Sequence, residues 1–527
     1  MYFAFHGASA YRVLCLTIPL LAFCAWTLPA GESSGRGPSG AYDGPVKILY
    51  SPDRVPETPT LESLERTDRV QQYGITWTFD RPVRAGRFVT GDWYVVGPVT
   101  VIEIDPKPLF GEEVAASGKW TFTNKGSVHE DRYAGKQARN GCTLNQPVNT
   151  QRGGFDSRLS HGFYDPKLFT RLPVEMKPGD ALISTISNPN LENFSGYGQP
   201  VLTAAVLTCM AEPQPADAFR PPYGHASKKP YLARHLRRDL LYRLPKTKDA
   251  PKDLSSAARK IQRPWLDTVA WGYASPKENM PRYGMYITAQ VSHFALVLHM
   301  DYTPEEKEPL LIHTVQYGID LWGLVEAGSP GWNGHGGFGG GRKWSIVFAG
   351  LMLDDPEMRA PNTKYPKVRF GEDQQTSWGK TWSGYDVVFE SHPGQNRIPT
   401  ELKHPREWVS GMSEAYRYQN TSVVWPGQAL AARLMRAENY WNHDPFFAYV
   451  DRWMSEDHIA QLKELKQAAK DNPAGKRIYA TWWDSHIRRG YLANTNETAQ
   501  EMWDRYRKDL PKELGNLTPQ EVVDKAK

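Results

Sequence analysis

The residues that most invite a chemical reading form one run, Ser329-Pro330-Gly331-Trp332-Asn333-Gly334-His335-Gly336-Gly337-Phe338-Gly339-Gly340-Gly341-Arg342-Lys343-Trp344. It contains GxGxxG at Gly334, Gly336 and Gly339, but it follows a helical pattern and not a strand, so the context of a dinucleotide site is missing. Gly341 is followed by Arg342, Lys343 and Trp344 where a phosphate-binding P-loop needs Lys and then Ser or Thr. What is left is a backbone that a ligand can approach closely, leading into a helix whose first N–H groups, with Arg342 and Lys343, suit an anion. Trp332, Asn333 and His335 add a ring, a neutral donor and a titratable group. A loop that only caps a helix has no need of all five side chains.

The second candidate is Glu414-Ala415-Tyr416-Arg417-Tyr418-Gln419-Asn420. A tyrosine with its ordinary pKa near 10 acts as a base only beside positive charge, which Arg417 would supply if the fold turns the two together. Two helical faces are also polar. Tyr286, Gln290 and His293 share one face at i, i+4 and i+7, opposite Ile287, Val291, Phe294 and Leu298; His313, Tyr317 and Asp320 repeat that spacing opposite Val315, Ile319 and Trp322. Such stripes line a central cleft or form a solvated outer face. HExxH, paired CxxC, EF-hand and GxSxG patterns are all missing, so no cofactor is expected, while a metal assembled from distant residues is left open. A hydrolytic carboxylate pair would draw on Asp320, Glu326, Glu414 and Asp484.

The chain that must position these groups has 527 residues, enough for about two to four domains at roughly 150 residues each. Lys plus Arg number 63 and Asp plus Glu 58, a formal charge of +5 without a long basic block, which argues against nucleic acid. The 18 Trp, 26 Tyr and 19 Phe on a chain of mean hydropathy −0.57 suit carbohydrate, whose rings stack on aromatics while its hydroxyls need polar partners. The apolar run Val13 to Leu28 follows Arg12, is interrupted by Pro19 and gives way to Pro29, Ala30 and Gly31. It reads as a signal peptide over 1–30, followed by a flexible linker over 31–41, and implies a secreted or periplasmic protein. At about 16 residues it falls short of the ~20 of a membrane span, and no later run is long enough. Cys15 and Cys24 would leave with the signal, and an exported compartment permits a bridge between Cys142 and Cys209.

From 42 to 212 the chain alternates as strands do, at Ile75 to Phe79, Trp93 to Val96, Val99 to Ile104 and Val201 to Leu207, which predicts a β-sandwich-like domain. A Pro-rich linker over 213–230 includes Pro213 to Pro222. Helical periodicity then runs through 231–527. Thr303-Pro304-Glu305-Glu306 starts a helix that continues to Ala327 and stops at Gly328, and Thr518-Pro519-Gln520-Glu521 repeats that start. Asp444 and Ser455 read as caps before Phe446 to Met454 and His458 to Ala469; further helices are expected at Arg282 to Met300, Arg342 to Leu353 and Gln428 to Trp441. The fold class expected is multidomain α+β, a β-sandwich-like domain followed by an incomplete α/α toroid with a helical C-terminus.

Three stretches carry a resemblance: Trp332 to Gly337 with Gly341-Arg342-Lys343, Glu414 to Tyr418, and Trp441-Asn442-His443-Asp444-Pro445-Phe446-Phe447-Ala448-Tyr449-Val450-Asp451-Arg452-Trp453-Met454. Together they resemble secreted bacterial α/α-toroid polysaccharide lyases, the nearest named group being the alginate and glucuronan lyases of polysaccharide lyase family 38. The resemblance spans Arg282 to Met454, roughly a third of the chain, and leaves the β-rich region outside. It implies an acidic polysaccharide substrate cleaved by β-elimination, with a neutralised C5 carboxylate, a base for the C5 proton and an acid for the leaving oxygen. Arg342, Asn333 and Arg417 would then hold the carboxylate, His335 or Tyr416 would be the base, and Tyr416 or Tyr418 the acid. Tyr286, Gln290 and His293 would line the cleft, and Trp332 would stack on a sugar. The competing readings are an inverting glycoside hydrolase, with carboxylates about 6.5–9.5 Å apart, and a glycan-binding protein without catalysis.

Overall fold

Tyr73 and Gly74 both take positive φ, 52° and 79°, and so close a two-residue hairpin between strands β1 (Glu65–Gln72) and β2 (Ile75–Arg87). This hairpin starts the β-rich part of the protein, seen here in a computed structural model that describes residues 44–118, 121–122, 136–147, 152–159, 163–191, 199–224, 230–268, 274–394, 401–408, 412–472 and 495–509. The expected signal peptide over 1–30, the expected linker over 31–41, Asp484 and the helix start expected at Thr518 lie outside the described residues.

Strands β3 (Trp93–Val96) and β4 (Val99–Asp105) both pair with β2, on its second and first halves, and are separated only by Gly97-Pro98. The remaining strands of this sheet are β5 (Cys142–Leu144), β6 (Val174–Met176), β7 (Ala181–Ser187) and β8 (Val201–Met210). Its order is β5-β7-β8-β3-β2-β4-β6, with β1 also on β2. Because β8 extends β3 while β6 extends β4, the sheet forks at Gly97-Pro98 and curls. Only glycine fits at 97, since a Cβ there would come 2.1 Å from Cys209 Sγ. Where a sandwich was expected, the strands form one curled sheet whose inner side is filled by Trp77, Phe79, Val95, Val101, Met176 and Leu207. Strands β7 and β8 are buried almost throughout, because their other face, through Ile183, Ala204 and Val206, joins the core of the helical region. Cys142 and Cys209 are free buried thiols, and burial pushes both up to about 12.

The longer helices of the helical region begin with α1 (Gly284–Leu298), followed by α2 (Pro304–Glu326). The Thr303 hydroxyl accepts from Glu306 N–H and the Glu306 carboxylate accepts from Thr303 N–H, so the expected capping box is present. Next come α3 (Arg342–Met352), the short α4 (Gly371–Gln375) and α5 (Met412–Tyr416), then α6 (Trp425–Leu434) and α7 (Asp444–Ser455). The helix expected over Gln428 to Trp441 is broken after Leu434 because Arg436 takes φ 56°, which ends helical geometry. Asp457, and not Ser455, caps the helix His458–Lys470. Helix α1 packs on α6 and α2 on α3.

The Pro-rich stretch is buried from Asp217 through Pro222 and acts as a tie. Arg220 is 1% exposed and bridges Asp92, which follows β2, to Asp320 of α2, with Nε–Oδ2 and Nη2–Oδ2 distances of 2.7 and 2.6 Å. Among the described residues no helix is long and apolar enough to cross a membrane.

Candidate active site

The glycine loop and the Tyr416 turn meet. Gly336 has φ 57°, and a Cβ built on it would lie 2.3 Å from Tyr416 Cε1, so the tyrosine ring occupies the space that any side chain at 336 would fill. His392, which follows strand Val387–Phe389, stands between them: its ring centroid is 4.5 Å from His335 and 4.8 Å from Tyr416, edge-on to both at 81°. Tyr283, just before α1, closes the group by accepting hydrogen bonds from Gly337 N–H at 3.1 Å and Asn420 Nδ2 at 3.2 Å. Asn420 can reach there because Arg417–Thr421 form a wide π-type turn directly after Tyr416.

The loop is held rigidly from several elements. Gly336 N–H donates to Ser391 O at 2.7 Å, Gln375 Nε2 donates to both Gly336 O and Ser391 O at 2.8 Å, and Gly334 N–H donates to Gln374 Oε1 at 2.8 Å. The Ser391 hydroxyl is 2.7 Å from His392 Nδ1. Burial lowers the pKa of His335, and burial together with the neighbouring His335 brings His392 down to about 4. Both imidazoles are therefore neutral at pH 7. His335 is the half-buried one and His392 the buried one.

The anion site expected at the start of α3 is filled by the protein's own carboxylates. Gly341 N–H donates to Glu372 Oε1 at 2.6 Å, which also accepts from Gln428. Arg342 is completely buried, pairs with Asp267 through Nε and Nη2 at 2.7 and 2.9 Å, and donates from Nη1 to Phe338 O and Gly340 O. Lys343 is buried on Asp373. Arg342 and Lys343 thus hold the loop instead of presenting charge to a ligand. Trp332 is 2% exposed and stacks on Phe370 at 6.1 Å, so it offers no open platform. Asn333 is half-buried, and its Oδ1 is buried and accepts no hydrogen bond among the described residues.

Arg417 is also taken up internally. It pairs with Glu456 and Glu414, donates to Tyr449 Oη at 2.8 Å and lies 3.6 Å from Glu401, while Arg452 binds Glu401 and Glu456. Tyr418 points the same way, its hydroxyl 3.2 Å from His458 Nδ1 and its ring against Trp453, so the structure does not bring it to His335. Three carboxylates share two guanidinium groups in this cluster. Burial, outweighing the attraction of Arg417 and reinforced by Glu401 and Glu456, raises Glu414 to about 7, whereas Arg417, Arg452 and His458 bring Glu456 to about 2 despite its burial. A carboxyl whose folded pKa exceeds its ordinary 4.5 binds more protons folded than unfolded, so it withdraws stability as pH rises from about 4.5 through about 7. Glu414→Gln is expected to flatten that part of the stability–pH curve, measured by urea unfolding at stepped pH; an unchanged slope would exclude Glu414 as its source.

On α1, Tyr286, Ala289, Gln290 and His293 are half-buried and the remaining positions are buried, and Tyr286 lies beside Tyr283 with ring centroids 6.1 Å apart. Burial and then Lys260 bring His293 to about 4. The second stripe faces neither cleft nor solvent: Tyr317 donates to Asp267 at 2.8 Å, Asp320 binds Arg220, and His313 is buried with them. Of the hydrolytic candidates, Asp320 and Glu414 are locked in buried ion clusters and Glu326 ends α2. Among the described residues no group of three or more His, Cys, Asp or Glu is arranged to hold a metal.

No family model, curated protein or solved structure matches the chain. The geometry adds Tyr283 and His392 to the residues that spacing suggested, and it gives a contact to Asn420 of the second candidate segment. Asn420 closes the tyrosine-rich run already noted, and His392 stands before Pro393-Gly394, a turn signal on a titratable residue; Tyr283 had no signal beyond its place at a helix start.

Proposed function

We propose that this protein is an exported lyase that opens a uronate-containing polysaccharide by β-elimination. The observation that carries the reading is the seat at Gly336, which sets the Tyr416 ring against the His392 imidazole, itself edge-on to His335, with no paired carboxylates among these groups. In this reading the half-buried His335 takes the C5 proton as a neutral base, and the Tyr416 hydroxyl protonates the departing glycosidic oxygen. His335 gains one proton and Tyr416 loses one, and in this reading His392, edge-on to both rings, returns it between turnovers. With Arg342, Lys343 and Arg417 occupied, the sugar carboxylate falls to Asn333, to the Asn420 amide and to the exposed Arg282, whose charge is felt by Tyr286. The half-buried face of Tyr286, Gln290 and His293 then extends the cleft. The helices that carry these groups are taken, in the same reading, as an incomplete α/α toroid.

Incubation with alginate or glucuronan is expected to generate the ultraviolet absorbance of a C4–C5 unsaturated end. New reducing ends without that absorbance would replace this reading by hydrolysis.

A further inference from the structure

Away from the His335 cluster, a polar groove of about 540 Å³ opens where the β1–β2 turn meets the segment around Arg263 and Glu278. Its volume is in the range of ligand sites. It shares no lining residue with the catalytic cluster, and its wall is made mainly of amide, hydroxyl and charged groups. Tyr73 is half-buried there on its positive-φ turn, its hydroxyl bonded to Gln262 O at 3.0 Å, so the ring is fixed before any ligand arrives. The Arg263 guanidinium lies 4.9 Å from that ring and is held by Glu278 and Thr203. Arg87 is exposed at the rim, its guanidinium 3.9 Å over the Trp93 ring and bonded to Gly91 O at 3.0 Å. Gln71 is exposed on the same wall. Gln72 is 7% exposed; its Nε2 donates to Asp92 Oδ1 at 2.9 Å and to Gly91 O, which fixes Oε1 as an acceptor, and that buried Oε1 has no hydrogen-bond partner among the described residues.

We propose that this groove is a second, non-catalytic site for a hydroxyl-rich, carboxylate-bearing oligosaccharide. Vicinal hydroxyls match the exposed Gln71 amide and the Thr90 and Thr203 hydroxyls, the fixed Tyr73 ring gives an apolar edge, and Arg87 at the rim takes a carboxylate. The scarcity of apolar side chains, Ile186 and Leu202 being the two present, disfavours a flat apolar ligand. Only the identity of the sugar rests on the lyase reading, because the groove's chemistry selects a hydroxylated anion without it.

The test is calorimetric titration of the full-length Tyr416→Phe protein with alginate and glucuronan oligosaccharides, with and without Arg87→Ala plus Gln71→Ala. Arg87 and Gln71 are exposed side chains, so the double variant keeps its fold. Binding at the groove is expected to weaken about tenfold in the double variant, the loss of one charge-assisted contact, while in the otherwise wild-type protein the same two changes leave turnover of short oligosaccharides unchanged. Binding without any unsaturated product in the wild type would retire the lyase reading and still support the groove. Identical isotherms with and without the two changes, or no binding of either oligosaccharide, would overturn it.

Discussion

Tyr416→Phe is expected to lower kcat on a uronate polymer by about 10²–10⁴-fold with KM and thermal stability close to those of the parent protein, the usual loss when a positioned general acid is removed. The expectation rests on the ring being held by its surroundings and not by its hydroxyl: Gly336 lies under one edge and His392 against the ring, and both contacts survive in phenylalanine. Gly336→Ala makes the complementary test. It keeps the hydroxyl but puts a methyl group 2.3 Å from Cε1 on a backbone of φ 57°, so the ring must move and kcat should fall with it. Near-parental kcat in Tyr416→Phe, measured by unsaturated-product formation, would take Tyr416 out of the chemistry. His335→Ala should then separate base from acid. Its loss should be of similar size, and because burial holds the His335 pKa below the usual 6.5, the parental rate should fall only on the acid side of that value.

The second large effect is on stability. Arg342→Met removes the cation from Asp267, leaving that buried carboxyl with the Tyr317 hydroxyl but no countercharge, and it frees the carbonyls of Phe338 and Gly340. Breaking a buried pair from one side costs about 3–5 kcal/mol, and denaturant unfolding should show it. Arg342→Met with Asp267→Asn should recover part of the loss, because the uncompensated charge is gone. A substrate-binding arginine behaves differently, raising KM and leaving the unfolding midpoint where it was. That outcome would return Arg342 to the cleft.

Arg342 also shows why the site was only partly legible. Its run of glycines and cations marked the segment correctly as one of special backbone, yet the direction of the charges depended on Asp267, Glu372 and Asp373, between thirty and seventy-five residues away along the chain. Cations beside a helix N-terminus are equally suited to an external anion and to an internal carboxylate; spacing along one helix carries no information about which arrives. The stripes behaved likewise. Tyr286, Gln290 and His293 and then His313, Tyr317 and Asp320 have the same i, i+4, i+7 spacing, but one face is half-open and the other sealed under Arg220 and Asp267.

Local physical chemistry settled what depends on neighbours in the chain. The capping box at Thr303 and Glu306, the starts and ends of the helices at 284–298 and 342–352 within a few residues, and the strands at Trp93, Val99 and Val201 all follow from residue type and period. Tertiary structure alone decided three things: that the sheet forks and curls at Gly97-Pro98, that the Pro-rich stretch is buried through Arg220, and that His392 from a separate strand end stands between His335 and Tyr416. Each is a meeting of groups distant in sequence, fixed by which buried charge finds a partner and which glycine leaves room for a neighbour's ring.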